Sequence, residues 1–114
     1  MTTEIQINLN EARTSFQSRV LSGRERGMEC REQFNITRID AAPENVVVSI
    51  PKDIYSVNTS FFLGLFGDSV RKFGRDRFLS KYRFECDDVH RETIKYGVER
   101  ALKESTIFTG RKLA

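Results

Sequence analysis

The sequence predicts one α/β domain with helices packed on a small mixed sheet of about four strands. Three observations carry this. "VVVSI" at 46–50 is an unbroken run, rich in β-branched residues and closed by Pro51, as expected of a central strand covered by helices on both faces. Phe62, Phe66, Val70 and Phe73 then recur at steps of four, four and three, which is helical spacing. Finally, the patterns alternate as strand, peripheral helix, strand, helix, strand, helix without an internal repeat, which implies an at least partly parallel sheet. The domain is assigned to residues 1–106 and a tail to 107–114.

Taken in order, "EIQINL" alternates Ile5, Ile7 and Leu9 with polar residues, the pattern of a half-buried outer or antiparallel strand. A second short extended piece is expected around Phe16 to Leu21. Ser22 precedes Glu25 by three residues, the spacing of a capping box, so a helix should run from about Arg24 to Phe34. Its apolar face is thin, with Met28, Cys30 and Phe34 as the main contributors, and it is expected to lie peripherally. "DAAPEN" at 40–45 breaks the chain before the central strand.

After Pro51 the segment "PKDIYSVNT" should cross the carboxyl end of that strand and enter a helix over 59–74. Phe61, Leu63 and Leu65 make the first half of this helix apolar nearly all round, so it should be buried or covered by a partner; Asp68, Arg71 and Lys72 solvate its end. Gly64 and Gly67 would each cost about 1 kcal/mol in the helix interior, a penalty tolerated where another backbone approaches closely, here expected to be the sheet. Gly74 suits a left-handed cap. "YRFEC" at 82–86 alternates as a third strand. "DDVHRETIKYGVERALKES" gives a last helix with Ile94, Val98, Ala101 and Leu102 on one face, and Asp87 and Asp88 at its positive end.

Composition narrows the class. A chain of 114 residues can bury one modest core, and 39% apolar with 31% charged residues is a globular balance. No run approaches the roughly 18 apolar residues of a membrane span, and the first residues lack the form of a signal peptide, so a cytoplasmic protein away from membranes is expected. Cys30 and Cys86, without C-x-x-C spacing, read as two buried thiols. A formal charge of +3 from 19 bases and 16 acids decides little about partners.

No catalytic residue is assigned. The chain holds no G-x-S-x-G, Walker or G-x-G-x-x-G motif. Its one histidine, His90, lies near Cys86, Asp87, Asp88 and Glu92; the plainer reading is an acid-rich helix start with an exposed imidazole, and neither metal nor cofactor is expected. Two segments could bind a partner. In "RKFGRDRFLSKYRF", Arg71, Lys72, Arg75, Arg77, Lys81 and Arg83 interleave with Phe73, Phe78 and Tyr82, a pattern for nucleic acid if the aromatics are free to stack on bases. The other is the loop before the central helix, where Ser56, Asn58, Thr59 and Ser60 have N-capping as their structural role. A phosphate there would meet the positive end of a helix dipole.

"SGRERG", "REQF", "VVVSIPKDIYSVNTSFFLGLFGDSVRKFG" and "YRFEC" together resemble the STAS-like family of unknown function, related to sulfate transporter and anti-sigma-factor-antagonist domains, over residues 20–104. The resemblance implies a non-enzymatic regulatory module of bacterial or phage origin. Its relatives expose an Asp-Ser-Ser-Gly-type loop whose serine is phosphorylated by a partner ATPase of histidine-kinase-like fold, which releases that partner. By position, Ser60 is the first phosphoacceptor candidate and Thr59 the second; Asn58 stands in place of the acid and Phe61 in place of the glycine. The implied partner-binding surface comprises Asp53, Tyr55, Ser56, Asn58, Thr59, Ser60 and Arg24, with the exposed parts of the helices at 24–34 and 59–74. The alternative is a nucleic-acid-associated accessory protein using Arg71, Lys72, Arg75, Arg77 and Lys81.

Overall fold

The computed structural model describes residues 4–13 and 19–113, with side chains as far as Glu104. Strand β1 (Ile5–Asn8) leads through a 3-10 turn (Leu9–Ala12) to β2 (Val20–Leu21), α1 (Arg24–Gln33) and α2 (Ile36–Ala41). Strands β3 (Val46–Ser49) and β4 (Ser56–Val57) precede α3 (Thr59–Phe73), and α4 (Arg75–Lys81), β5 (Tyr82–Glu85) and α5 (Asp88–Leu113) complete the chain. The structure is mixed α/β as expected, but among the described residues five strands form two separate parallel sheets rather than one mixed sheet of about four.

The larger sheet has the order β1-β3-β5, with β3 central. Ile5 and Ile7 lie beside Val46 and Val48, which lie beside Tyr82 and Phe84. Alternation therefore puts these six residues on one face and Gln6, Asn8, Val47, Ser49, Arg83 and Glu85 on the other. The first face carries the core. On the second, Gln6, Asn8, Arg83 and Glu85 are exposed, and Val47, although only 2% exposed, is outside the core cluster. The expectation that β3 is covered by helices on both faces is thus corrected: the run of valines hid a sheet with one polar face.

Helix α3 is the centre of the molecule. Phe62 and Phe66 form ring contacts with Phe84, and Phe66 with Tyr82, which seats the helix on the apolar face. Helices α1 and α5 pack against its other sides, so its all-round apolar first half is buried within the chain, with no partner required. On the α5 side, a side chain at Gly97 would enter the ring of Phe62.

Gly64 does receive a backbone, but that of α1 rather than the sheet: a Cβ there would collide with the carbonyl oxygen of Arg24, and one at Gly27 with that of Phe61. Helix α1 is therefore joined closely to the centre of the fold and is not peripheral. Small residues, not apolar ones, make the contact, and an amphipathicity argument does not see them. Gly67 meets only the guanidinium of Arg71.

Several local expectations change. Ser22 forms no capping box: Gly23, at φ 91°, is the N-cap of α1, and no side chain bonds there. Met28 is 55% exposed. Asn35, in the left-handed region at φ 56°, separates α1 from α2, which has no clear signal in the sequence. Helix α4 occupies residues 75–81, between the expected helix and the expected third strand, where the sequence pattern assigns no element. Gly74 has the expected positive φ of 83° with extended ψ, ending α3 and starting α4. The extended piece near Phe16 is outside the described residues up to Gln17 and Ser18, while Val20–Leu21 is a strand. Helix α5 continues past residue 106, where the tail was placed.

Candidate interaction surface

The 51–60 segment is held from both sides. Ile54 is 1% exposed, and its carbonyl accepts from Nε2 of His90 at 2.9 Å. His90 is itself 2% exposed, which overturns the exposed imidazole; its Nδ1 is buried without a partner. Asp87 Oδ1 accepts the His90 amide at 3.1 Å and so caps α5. Asp53 receives the nearly buried guanidinium of Arg13 at 2.8 Å. The amides of Tyr55 and Ser56 both donate to the Arg19 carbonyl, and that of Asn58 to the Leu21 carbonyl, so β4 is stitched in parallel to β2.

This pairing places the starts of α1 and α3 side by side, with two residues between β2 and α1 and one between β4 and α3. Ser60 lies one turn before Gly64 on the same face, toward the α1 start that Gly64 packs against. Ser60 and Asn58 are exposed, and Thr59 and Ser56 half-buried. Asn58 is the N-cap of α3, but its side chain makes no capping bond and instead accepts the Ser56 hydroxyl at 3.3 Å. The capping role assigned to this cluster is therefore unfilled by Asn58. Tyr55 stands out, 79% exposed.

Arg24 is less free than its sequence position suggests. Its guanidinium pairs with Glu104 at 2.9 Å, and Arg71 and Arg100 approach the same carboxylate at 3.5 and 3.7 Å. The hydrogen bond from Arg24, helped by these charges, holds the Glu104 carboxyl below its ordinary range.

The basic segment is largely consumed by the fold. Arg71 also pairs with Asp68, Arg75 with Glu99, and Arg83 with Glu85, while Lys81 donates to the carbonyls of Ala42 and Glu44. Phe78 and Tyr82 are fully buried and have no face for a base. Lys72 and Arg77 remain, both over the half-buried ring of Phe73, at 5.5 and 5.8 Å from its centroid.

Two features were missed in the sequence. A buried polar cluster ties four elements together: Asp40 accepts from the Tyr82 hydroxyl, from Ser69 at 2.6 Å and from Arg31 at 3.2 Å. Arg31 also donates to the Leu65 carbonyl and to Ser69. Burial, reinforced by the hydrogen bond to Asp40, pushes the Tyr82 phenol far up. The second is an open groove of about 870 Å³ between α1, α2 and α3, lined by Glu25, Met28, Glu29, Glu32, Arg38 and Asp68 among others. The spacing of Glu25, Met28, Glu29 and Glu32 was its legible signal.

Among the described residues no three His, Cys, Asp or Glu side chains gather where they could hold a metal ion, and no helix is long and apolar enough to cross a membrane. Cys30 is buried, Cys86 half-buried, and both are unpaired; burial raises both thiols. No family model matches the chain, and neither the curated proteins nor the solved structures give a match.

Proposed function

We propose that the chain is a non-enzymatic protein-interaction module of STAS-like type, binding a partner through the 53–60 loop and the first turns of α3 and α1. The observation that carries this reading is the setting of Ser60: exposed, second in a long buried helix, at the end of a strand-loop unit pinned to β2 and His90. A rigid base with a polar tip suits recognition better than a mobile loop does. Tyr55 adds an exposed aromatic of the kind that anchors protein contacts. Ser60 is the phosphoacceptor in this reading, and Thr59, half-buried, the second choice. A phosphate on Ser60 would lie at the positive end of the α3 dipole and would change the charge and bulk of the surface. The partner, by the resemblance, is an ATPase of histidine-kinase-like fold.

The experiment is capture of interacting proteins from native lysate at modest salt, followed by identification. An ATPase-fold protein retained by the wild type and by Ser60→Ala, and lost from Ser60→Asp, supports the module and its switch. A complex indifferent to Ser60→Asp removes the switch; no stoichiometric protein partner removes the module.

A further inference from the structure

Ser60, Gly64, Gly67 and Arg71 follow one another along α3 at steps of four, three and four, so they share one line of the helix. The two glycines leave that line without side chains between Ser60 and the Arg71 guanidinium, which lies over Gly67. Arg24 of α1 pairs with Glu104 of α5 at 2.9 Å, and Arg71 approaches the same carboxylate from α3. Helices α1, α3 and α5 therefore meet at one carboxylate.

Arg24 also stands at the level of Ser60. Leu21 pairs with Val57 in the β2–β4 ladder, and that register, carried into the two helices, sets Arg24 beside Ser60. The contact of Gly27 with Gly64, three and four residues further on, keeps the same alignment. Of the ion pair, Arg24 is the more exposed partner, its side chain 46% accessible against 22% for Glu104. With Arg24 turned away, Glu104 would still have Arg71 and Arg100, at 3.5 and 3.7 Å, so no bare carboxylate is left behind. A phosphate on Ser60 would carry close to two charges and three strong acceptor oxygens. It is a stronger partner for a guanidinium than a carboxylate already shared three ways, and two N–H groups of Arg24 can hold it at once.

We infer that a phosphate on Ser60 takes Arg24 from Glu104, so that the modification is read inside the chain as release of α5 from the start of α1. The inference rests on the reading of Ser60 as phosphoacceptor and adds an output to it, a changed contact between two helices beside the changed surface. Phosphoserine placed at position 60 during synthesis of the full chain tests it without a kinase or a partner.

Hydrogen exchange at the α5 amides of residues 100–104 is the readout. Arg24→Ala, at an exposed position, should leave the chain folded by circular dichroism and accelerate exchange in that turn about two- to five-fold, the size expected of one exposed ion pair. Phosphoserine should give the same acceleration in the otherwise wild-type chain and add nothing in Arg24→Ala, while the phosphorus resonance of the phosphoserine should shift when Arg24 is removed. An unchanged exchange rate with phosphoserine overturns the inference, as does an Arg24→Ala chain with no acceleration of its own. Equal further acceleration in Arg24→Ala also overturns it, because the phosphate would then repel Glu104 without taking its partner. Each of these failures leaves the partner reading to the capture experiment, and the lack of a partner there leaves the exchange of Arg24 standing.

Discussion

Gly27 and Gly64 meet where α1 crosses α3, so closely that a methyl group on either would run into the other helix's backbone. A side chain can be pushed to another rotamer, but a carbonyl in a helix cannot move alone. Gly27→Ala and Gly64→Ala should each destabilise the fold by about 1–3 kcal/mol, despite the better helix propensity of Ala. Gly67→Ala, which meets only the end of the Arg71 side chain at 3.3 Å, should be neutral or stabilise by up to about 1 kcal/mol. Urea denaturation of the three variants checks the order.

Asp40 is the one acceptor shared by Tyr82, Ser69 and Arg31. Asp40→Ala leaves a largely buried guanidinium without its counter-charge and should cost about 3–5 kcal/mol. Tyr82→Phe, which removes one donor of three, should cost about 1–3 kcal/mol. Chemical denaturation distinguishes the two.

The same cluster predicts an alkaline limit. The Tyr82 phenol ionises at higher pH in the folded chain than in the unfolded one. Its contribution is therefore whole below the unfolded value of about 10 and is lost as pH rises above it, because the unfolded chain releases the proton first. Thermal melting from about pH 8 to 11 should show stability falling, with a smaller fall in Tyr82→Phe.

His90 joins α5 to the loop that carries Tyr55 through a single bond to the Ile54 carbonyl. His90→Ala leaves that carbonyl buried and unbonded, at a cost of about 1–3 kcal/mol. Hydrogen exchange should accelerate at the amides of Tyr55 and Ser56 more than at those of β3. Equal acceleration throughout would mean that His90 supports the whole fold rather than the loop.

Ser60→Asp should leave stability unchanged or raise it by about 0.3–1 kcal/mol, since the side chain is exposed and a negative charge suits a helix start. Thermal melting of Ser60→Asp against Ser60→Ala checks this. A stable Ser60→Asp chain ties any lost complex to the surface itself.

The elements with strong periodicity were legible: α3 and the apolar face of α5 through their helical spacing, and β5 through alternation. Helices α2 and α4 were not, because each is short and held by tertiary bonds, α4 through Phe78 in the core and Lys81 on the 42–44 backbone. The candidate loop was found as a polar junction, but its anchor His90 is 36 residues away in sequence, and no local pattern links the two.

By itself the sequence determined which segments bury apolar surface and the order of the principal elements β1, α1, β3, α3, β5 and α5, though not α2, β4 or α4 between them, because hydrophobic spacing is a local property of the chain. The tertiary structure alone decided what each buried face meets. Gly64 receives α1 instead of the sheet, Val47 lies on a polar face, and Phe78 and Tyr82 turn inward while Lys72 and Arg77 stay out. The physical reason is that close backbone approach and charge pairing depend on residues distant in sequence, which only the folded chain brings within contact.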